Sequence, residues 1–370
     1  MRLENGSLYL DCNATLPTKK EVLSAFLRAE KEGFANPSSS YLLGKRARKM
    51  VEHSRENILS KLNFNGNLVF TSSATEANNL LLLSASFNER IKKIIVSRIE
   101  HPSISEVIPV LKKQGSKVEE IRVGRDGVID LERLDKSVSF GCFVSVIAAH
   151  NETGVIQPIR EIAEICTRKN ALFHTDLVQA FGKIKLPFES VKPNALTIAS
   201  HKIGGPKGIG ALIFDDKIKI VPMIRGGGQE KGYRSSTESV PLIFAFSKAV
   251  ELTDTEKFFK LKTIRDEMEK LLSEKFSLTI YGKNSPRLPN TSFFSIEGFD
   301  GREIQNKLNK EKIYIGTGSA CHGAGLQIPR VVLEMGYTNV DYPLRISFSS
   351  MTKERDIRKF VSVLCEILRV

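Results

Sequence analysis

Short runs of branched and aromatic apolar residues alternate along this chain with longer stretches of helical spacing. Leu68-Val69-Phe70, Lys93-Ile94-Ile95-Val96, Phe143 to Ile147, Ala171-Leu172-Phe173, Leu196-Thr197-Ile198 and Ala211-Leu212-Ile213-Phe214 read as strands covered on both faces. The alternation predicts an α/β unit with a mainly parallel sheet clothed in helices. Ligands of such sheets lie beyond the carboxyl ends of the strands. From Pro241 to Lys275, apolar residues at Phe258, Phe259, Ile264, Met268, Leu271 and Leu272 predict one long helix leading into a second unit. Leu278 to Tyr281, Ser292 to Ile296, Tyr314-Ile315 and Leu344 to Phe348 are its expected strands. A last helix begins at Thr352, with Thr352 as cap, Glu354 at the positive end, and Ile357, Phe360, Val361, Leu364 and Leu368 on the apolar face. The expected division is a large domain over 13–250 and a small domain formed by 1–12 with 251–370.

Charge changes this picture little. The excess of thirteen positive charges is diffuse, and Lys45-Arg46 with Arg48-Lys49 falls among Met50, Val51 and Ile58 as the wet face of an amphipathic helix. There is no nucleic-acid module and no tryptophan, so direct nucleic-acid binding is not expected, and an acidic protein partner suits the charge better. The start, Met1-Arg2-Leu3-Glu4-Asn5, has no signal pattern, and no apolar stretch is long enough for a bilayer. The expected setting is cytoplasmic, without membrane contact. The five cysteines have no paired close spacing, which argues against a disulfide framework or a zinc site. Cys12, Cys142, Cys166 and Cys365 fit packing roles.

Candidate chemistry gathers at strand ends. Lys202 follows the run Ala195 to Ala199 and precedes Gly204-Gly205-Pro206-Lys207-Gly208. A lysine in a lysine-rich chain is ordinarily a solvated surface residue. Here the strand end, the glycines and the carboxylate of Asp176 at the next strand end separate it from that reading. An amine for a carbonyl and a carboxylate for a pyridinium nitrogen are what pyridoxal 5'-phosphate (PLP) most needs. Thr71-Ser72-Ser73-Ala74-Thr75, entering a helix, suits a phosphate, and plain helix capping suits it equally. Arg225 to Thr237 is a second glycine-rich, cationic loop, but not a P-loop. Gly205 to Gly210 opens onto a strand, unlike a dinucleotide fingerprint. Cys321 lies among small residues beside His322, where a thiol can be exposed and reactive; a lone Cys-His pair is a poor metal site.

Motifs in order along nearly the whole chain carry a resemblance. They are Leu10 to Thr15, Asn36-Pro37-Ser38-Ser39, Ala74 to Asn79, Glu100-His101, Asn151 to Gly154, His174-Thr175-Asp176, Ser200-His201-Lys202, Gly226 to Glu230, and Gly318 to Cys321. The chain resembles the cysteine desulfurases among the class V aminotransferase-like, fold type I PLP enzymes, a group that includes selenocysteine lyases. The resemblance implies a mainly parallel seven-stranded sheet in the large domain and a smaller α+β C-terminal domain carrying the Cys321 loop. It implies a Schiff-base link at Lys202, His101 stacked on the pyridine and acting as acid-base partner, and Asp176 at the ring nitrogen. Asn151 and Gln179 would contact the phenolic oxygen or the substrate. Ala74, Thr75, Ser200 and His201, with Thr237 of a second subunit, would hold the phosphate. Arg345, with Asn13 and Asn36 near, would take the substrate carboxylate. Cys321 would accept sulfur from L-cysteine as a persulfide and pass it to an acceptor or scaffold protein, from within a homodimer. L-selenocysteine is the alternative substrate, and the pathway served stays open. Ala199 stands where the family often has a phosphate-binding serine, which leaves Ser200 as its candidate substitute. Cys12 replaces the usual aromatic or serine, and Ser349-Ser350 the usual Gly-Arg.

Overall fold

The computed structural model describes residues 1–188, 192–318 and 328–369. Among these residues the strands are β1 (Leu8–Tyr9), β2 (Asn67–Thr71), β3 (Lys93–Ser97), β4 (Val118–Ile121), β5 (Cys142–Ser145), β6 (Leu172–Asp176), β7 (Ala195–Ala199), β8 (Gly210–Phe214), β9 (Leu278–Ile280), β10 (Thr291–Ile296), β11 (Ile313–Tyr314) and β12 (Leu344–Ser347). Seven form one sheet in the order β2-β8-β7-β6-β5-β3-β4. From β4 across to β7 the neighbours are parallel, and β8 is antiparallel to both β7 and β2. The link over 200–209 is too short for a crossover helix, so β8 has to return antiparallel. That link carries Lys202.

Alternation along the strands builds two cores. Val144, Phe173, Leu196, Ile198, Ala211 and Ile213 face one way, against Val51, Ile58, Ile162 and Phe246 of the helices Leu42–Lys61, Ile159–Arg168 and Val240–Glu251. Phe143, Ala195, Leu212 and Phe214 face the other way, against Leu80 of the helix Ala74–Ser86 and Leu111 of the helix Ile108–Lys113. A further cluster surrounds the antiparallel sheet β12-β10-β9 and the parallel pair β1-β11. There Phe294, Ile346, Met268, Ile304 and Phe360 join strands to the helices Leu261–Ser273, Gly301–Lys310 and Glu354–Leu368. No helix among the described residues is long and apolar enough to cross a membrane.

Three local expectations are corrected. The single helix over Pro241 to Lys275 is three, Val240–Glu251, Thr255–Phe259 and Leu261–Ser273. Thr253 bonds back to the Val250 carbonyl at 2.8 Å, and Asp254 caps a new start by accepting from the Lys257 amide at 3.0 Å. Thr352 does not cap the last helix, because its hydroxyl accepts from the Ser349 amide and the Met1 amino group at 3.2 and 3.1 Å. The helix starts at Glu354, with Asp356 accepting from the Lys353 amide at 3.0 Å. The edge strand β4 was not anticipated, since Glu119 and Glu120 mask its pattern.

One ion pair ties these layers to the loop that follows β8. Buried Arg55 donates to both oxygens of buried Glu230, at 2.9 and 3.2 Å, and Glu230 also accepts from the Phe70 amide at 2.9 Å. Arg55→Leu strands that carboxylate without its cation and should destabilise the fold by about 3–5 kcal/mol in denaturant unfolding. Wild-type stability in this variant would remove the clamp from the account.

Candidate active site

Residues of one strand face reach the amino end of the Ala74–Ser86 helix. Asp176, the last residue of β6, is buried there, accepting from Asn78 Nδ2 at 2.8 Å and from the Val178 amide at 2.9 Å. Asn78 also donates to Ser103 Oγ at 2.8 Å, which lies 2.9 Å from His101 Nδ1. His101 Nδ1 accepts from the Ser103 amide at 3.1 Å, so the neutral ring carries its proton on Nε2. A continuous chain of hydrogen bonds thus fixes His101 relative to Asp176.

The helix start beside them has the backbone geometry that suits an anion. Ser73 caps it by accepting from the Glu76 amide at 3.2 Å, while Glu76 is held by Ser72 at 2.6 and 2.8 Å and by Arg234 at 2.9 Å. Those bonds keep the Glu76 carboxyl below its ordinary range although burial opposes them. First-turn amides at Ala74 and Thr75 have no intrahelical acceptor and sit at the positive end of the helix. A Cβ on Gly210 would stand 2.6 and 2.7 Å from the Ser73 and Ala74 backbone, so only glycine lets β8 pass this close. Ala199 pairs with Gly210 and shares its face.

Ser200 therefore points to the opposite face. Its buried Oγ has no hydrogen-bond partner and lies where a Cβ on Gly205 would fall, beside Ala249. The expectation that its side chain could stand in for the missing phosphate-binding serine is corrected by this alternation. Thr75 and Thr237 are exposed, and Thr237 borders a groove with Thr71 and Ser72.

Lys202 ends a short 3-10 turn, Ser200–Lys202, and its Nζ donates to the carbonyls of Asn13 and Ala14 at 2.7 and 2.9 Å. Gln179 Nε2 donates to the same Asn13 carbonyl at 2.9 Å. The Asn13 side chain donates to Thr291 Oγ1 at 2.9 Å and to the Asn151 carbonyl at 3.3 Å. Arg345, on β12, reaches that Asn151 carbonyl at 3.1 Å and pairs with Asp11 at 2.6 Å, leaving a buried Nε without a hydrogen bond. His201 Nδ1 lies 3.2 Å from Thr15 Oγ1, and burial, with Lys202 and Lys207 adding, lowers its pKa to about 4. The ring is neutral at pH 7. Asn36 stands apart: it is exposed, its side chain accepts from the Ser38 amide at 2.9 Å, and no described hydrogen bond links it to this group. Cys321 lies outside the described residues.

These donors fit PLP. A buried carboxylate held by two donors suits a pyridinium, the glycine-lined helix start suits a phosphate, and a docked lysine amine suits the aldehyde. An α/β sheet with that lysine beyond β7 and that aspartate ending β6 defines a PLP-dependent enzyme of fold type I. Residues 8–360 match the family model described as Aminotransferase class-V. The chain belongs to that family. It is 36% identical over 377 residues to the cysteine desulfurase IscS of Clostridium botulinum strain Kyoto, covering 99% of this chain and 95% of that one. It is equally 36% identical over 365 residues to cysteine desulfurase IscS 1 of Archaeoglobus fulgidus, covering 96% and 95%. The solved NifS-like protein from Rickettsia africae superposes with a TM-score of 0.89 at 33% identity, over 98% of this chain and 100% of that one.

Four members of the two networks, Asn78, Ser103, Asp11 and Lys183, and the nearby Glu100 carry no role in the sequence reading. Asp11, Asn78 and Glu100 sit inside quoted motifs, and Gln179 with Lys183 has the spacing of one helical turn, but partners distant in sequence decide what they do. Glu100 is buried, accepts from Ser97 Oγ and the Ile147 amide at 2.6 and 2.9 Å, and has a second oxygen with no hydrogen-bond partner. Burial above all, with the Asp176 charge adding, raises its pKa to about 8. Native Glu100 therefore holds a proton between the ordinary 4.5 and about 8, where the unfolded chain does not. Its share of stability, complete below 4.5, is lost as pH rises through 8. The unfolding free energy of Glu100→Gln relative to wild type should rise from about pH 4.5 to about pH 8 and level off above it. A difference that is flat with pH would mean that the carboxyl is already ionised.

Proposed function

We propose that this chain is a PLP-dependent cysteine desulfurase, with Cys321 receiving the sulfur of L-cysteine as a persulfide for delivery to an acceptor protein. The observation that carries the reading is the placement of Lys202 and Asp176 beyond adjacent strands, in a chain related over nearly its full length to cysteine desulfurases. When bound, PLP supplies an aldehyde that captures amines and a pyridinium that withdraws electrons. Asp176 holds negative charge for the ring nitrogen, oriented by Asn78 and Val178. The amides of Ala74 and Thr75, with His201 and Thr237 of a second subunit, hold the phosphate. Lys202 Nζ, anchored by two carbonyls, turns its lone pair away from them when neutral and serves as the base for the substrate α proton. His101 Nε2 handles protons near the sulfur, and Asn151 and Gln179 orient the ring oxygen or the substrate.

Arg345 takes the substrate carboxylate, for which its link to Asp11 has to yield. The exchange balances as Cys321 thiol plus L-cysteine giving Cys321 persulfide plus L-alanine. The carbon–sulfur electron pair stays with carbon, which gains a proton, while a sulfur–sulfur bond forms. The relatives' names favour L-cysteine over L-selenocysteine as substrate. Lys202→Ala should fold yet lose both turnover and the visible absorbance of the PLP-loaded protein. Cys321→Ser should still bind PLP and L-cysteine but lose persulfide formation, read by mass spectrometry. Undiminished sulfur release without Cys321, or faster release of selenium than sulfur, would turn the reading to lyase chemistry.

The separate apolar clusters support the two-domain division. A homodimer is supported by an apolar strip on and after the first helix, Lys20–Glu32, where Leu23, Leu27, Phe34, Tyr41, Leu42 and Leu43 are exposed, Phe34 by 69% and Leu42 by 81%. Leu42→Glu should weaken that dimer by about tenfold or more in sedimentation equilibrium. A monomeric wild-type protein would refute the pairing, and with it the shared Thr237 site.

A further inference from the structure

Lys183 is a lysine with almost no exposure, 2%. Its Nζ donates to Gln179 Oε1 at 2.6 Å and to Asn13 Oδ1 at 3.1 Å. Burying an ammonium group is costly, and an aliphatic side chain would fill the same space without that penalty. Burial, helped by the nearby Lys202 charge, brings its pKa down to about 7.

What the amine does is decided by its two acceptors. A donor on Gln179 Oε1 forces that carboxamide to present Nε2 at its other side, and Nε2 meets the Asn13 carbonyl at 2.9 Å. A flipped amide would set oxygen against oxygen there. The same Asn13 carbonyl anchors Lys202 Nζ at 2.7 Å. Lys183 and Asn290 together hold Asn13 Oδ1, at 3.1 and 3.2 Å, so both ends of Asn13 are oriented through this one amine.

We propose that Lys183 is a positioning residue for the Lys202 amine, acting through the carboxamides of Gln179 and Asn13. It needs no contact with cofactor or substrate. The assignment rests on the PLP-dependent reading above, and its test separates the two.

Apoprotein is titrated calorimetrically with pyridoxine 5'-phosphate, which has the ring and phosphate but no aldehyde. The rate at which PLP becomes linked to Lys202 is then followed by timed borohydride trapping and peptide mapping. Lys183→Met should bind pyridoxine 5'-phosphate within about threefold of wild type, yet link PLP at least about tenfold more slowly, because a misplaced nucleophile loses rate rather than ring affinity. In a Gln179→Leu background the added effect of Lys183→Met should shrink to about threefold or less, as expected for residues acting in one network. An unchanged linkage rate in Lys183→Met, or an undiminished effect in the Gln179→Leu background, overturns the proposal. If Lys183→Met does not fold, Lys183→Gln decides: its shorter donor cannot hold both carboxamides, so wild-type linkage in that variant also overturns it. Failure of the wild-type protein to bind pyridoxine 5'-phosphate would instead overturn the PLP reading.

Discussion

The main-chain carbonyl and side chain of Asn13 form the joint on which the site depends. Its carbonyl receives Lys202 and Gln179, its Oδ1 receives Lys183 and Asn290, and its Nδ2 reaches Thr291 and Asn151. Its own amide donates to Ser347 Oγ on β12. One buried residue therefore binds the loop after β7 to the sheet of β10 and β12. A buried carboxamide whose groups are all engaged has a single low-energy orientation, since any rotation strands a polar atom away from water. The position of the Lys202 amine is accordingly a property of the whole interface and not of its own short turn.

A second constraint is the two-residue period of the strands. Because Asp176 and Ala199 lie on the face that meets the Ala74–Ser86 helix, and the Ser200 hydroxyl lies beside Gly205 and Ala249, the proposed phosphate cradle would be built from amides and glycine geometry without the Ser200 hydroxyl. Asn78, one turn into that helix, then links the cradle's own element to Asp176 and, through Ser103, to His101. Asp176, the helix start and His101, the groups proposed for the ring nitrogen, the phosphate and acid-base work, are thereby linked through one helix, which is how such groups keep their relative distances.

Much of this was legible in the sequence, for a physical reason. The doubly covered strands announce themselves as apolar runs, and Lys202, Asp176 and the helix start after β2 follow directly from where those runs stop. What escaped was of two kinds. Polar competition for backbone groups is invisible to hydrophobic spacing, so Asp254 and Thr253 broke a helix that the apolar pattern had joined, and Thr352 was drawn off by Ser349 and Met1. Long-range pairing is likewise unwritten in local pattern: Asp11 meets Arg345, Arg55 meets Glu230, and Lys183 meets Asn13 only because the sheet and its neighbouring cluster are already packed.

Burial also sorts the ionised groups around the site. His150 and His174, fully buried, have pKa values lowered to about 3 by desolvation, and His201 is neutral for the same leading reason. Glu100, raised to about 8, is neutral as well, so it adds no second negative charge to the neighbourhood of Asp176. Two further ionisable groups have a hydrogen-bonded place: Asp176 is held by Asn78 and Val178, and Arg345 by Asp11 and the Asn151 carbonyl. A site meant to receive a doubly charged phosphate, a carboxylate and a pyridinium has to keep its fixed charges few and directed, because in a low-dielectric interior each stray charge would shift the ionisation of every other. The neutral histidines and Glu100 meet that requirement chiefly by burial, with neighbouring charges adding to it at His150, His201 and Glu100, which leaves the cationic side chains and Asp176 around Lys202.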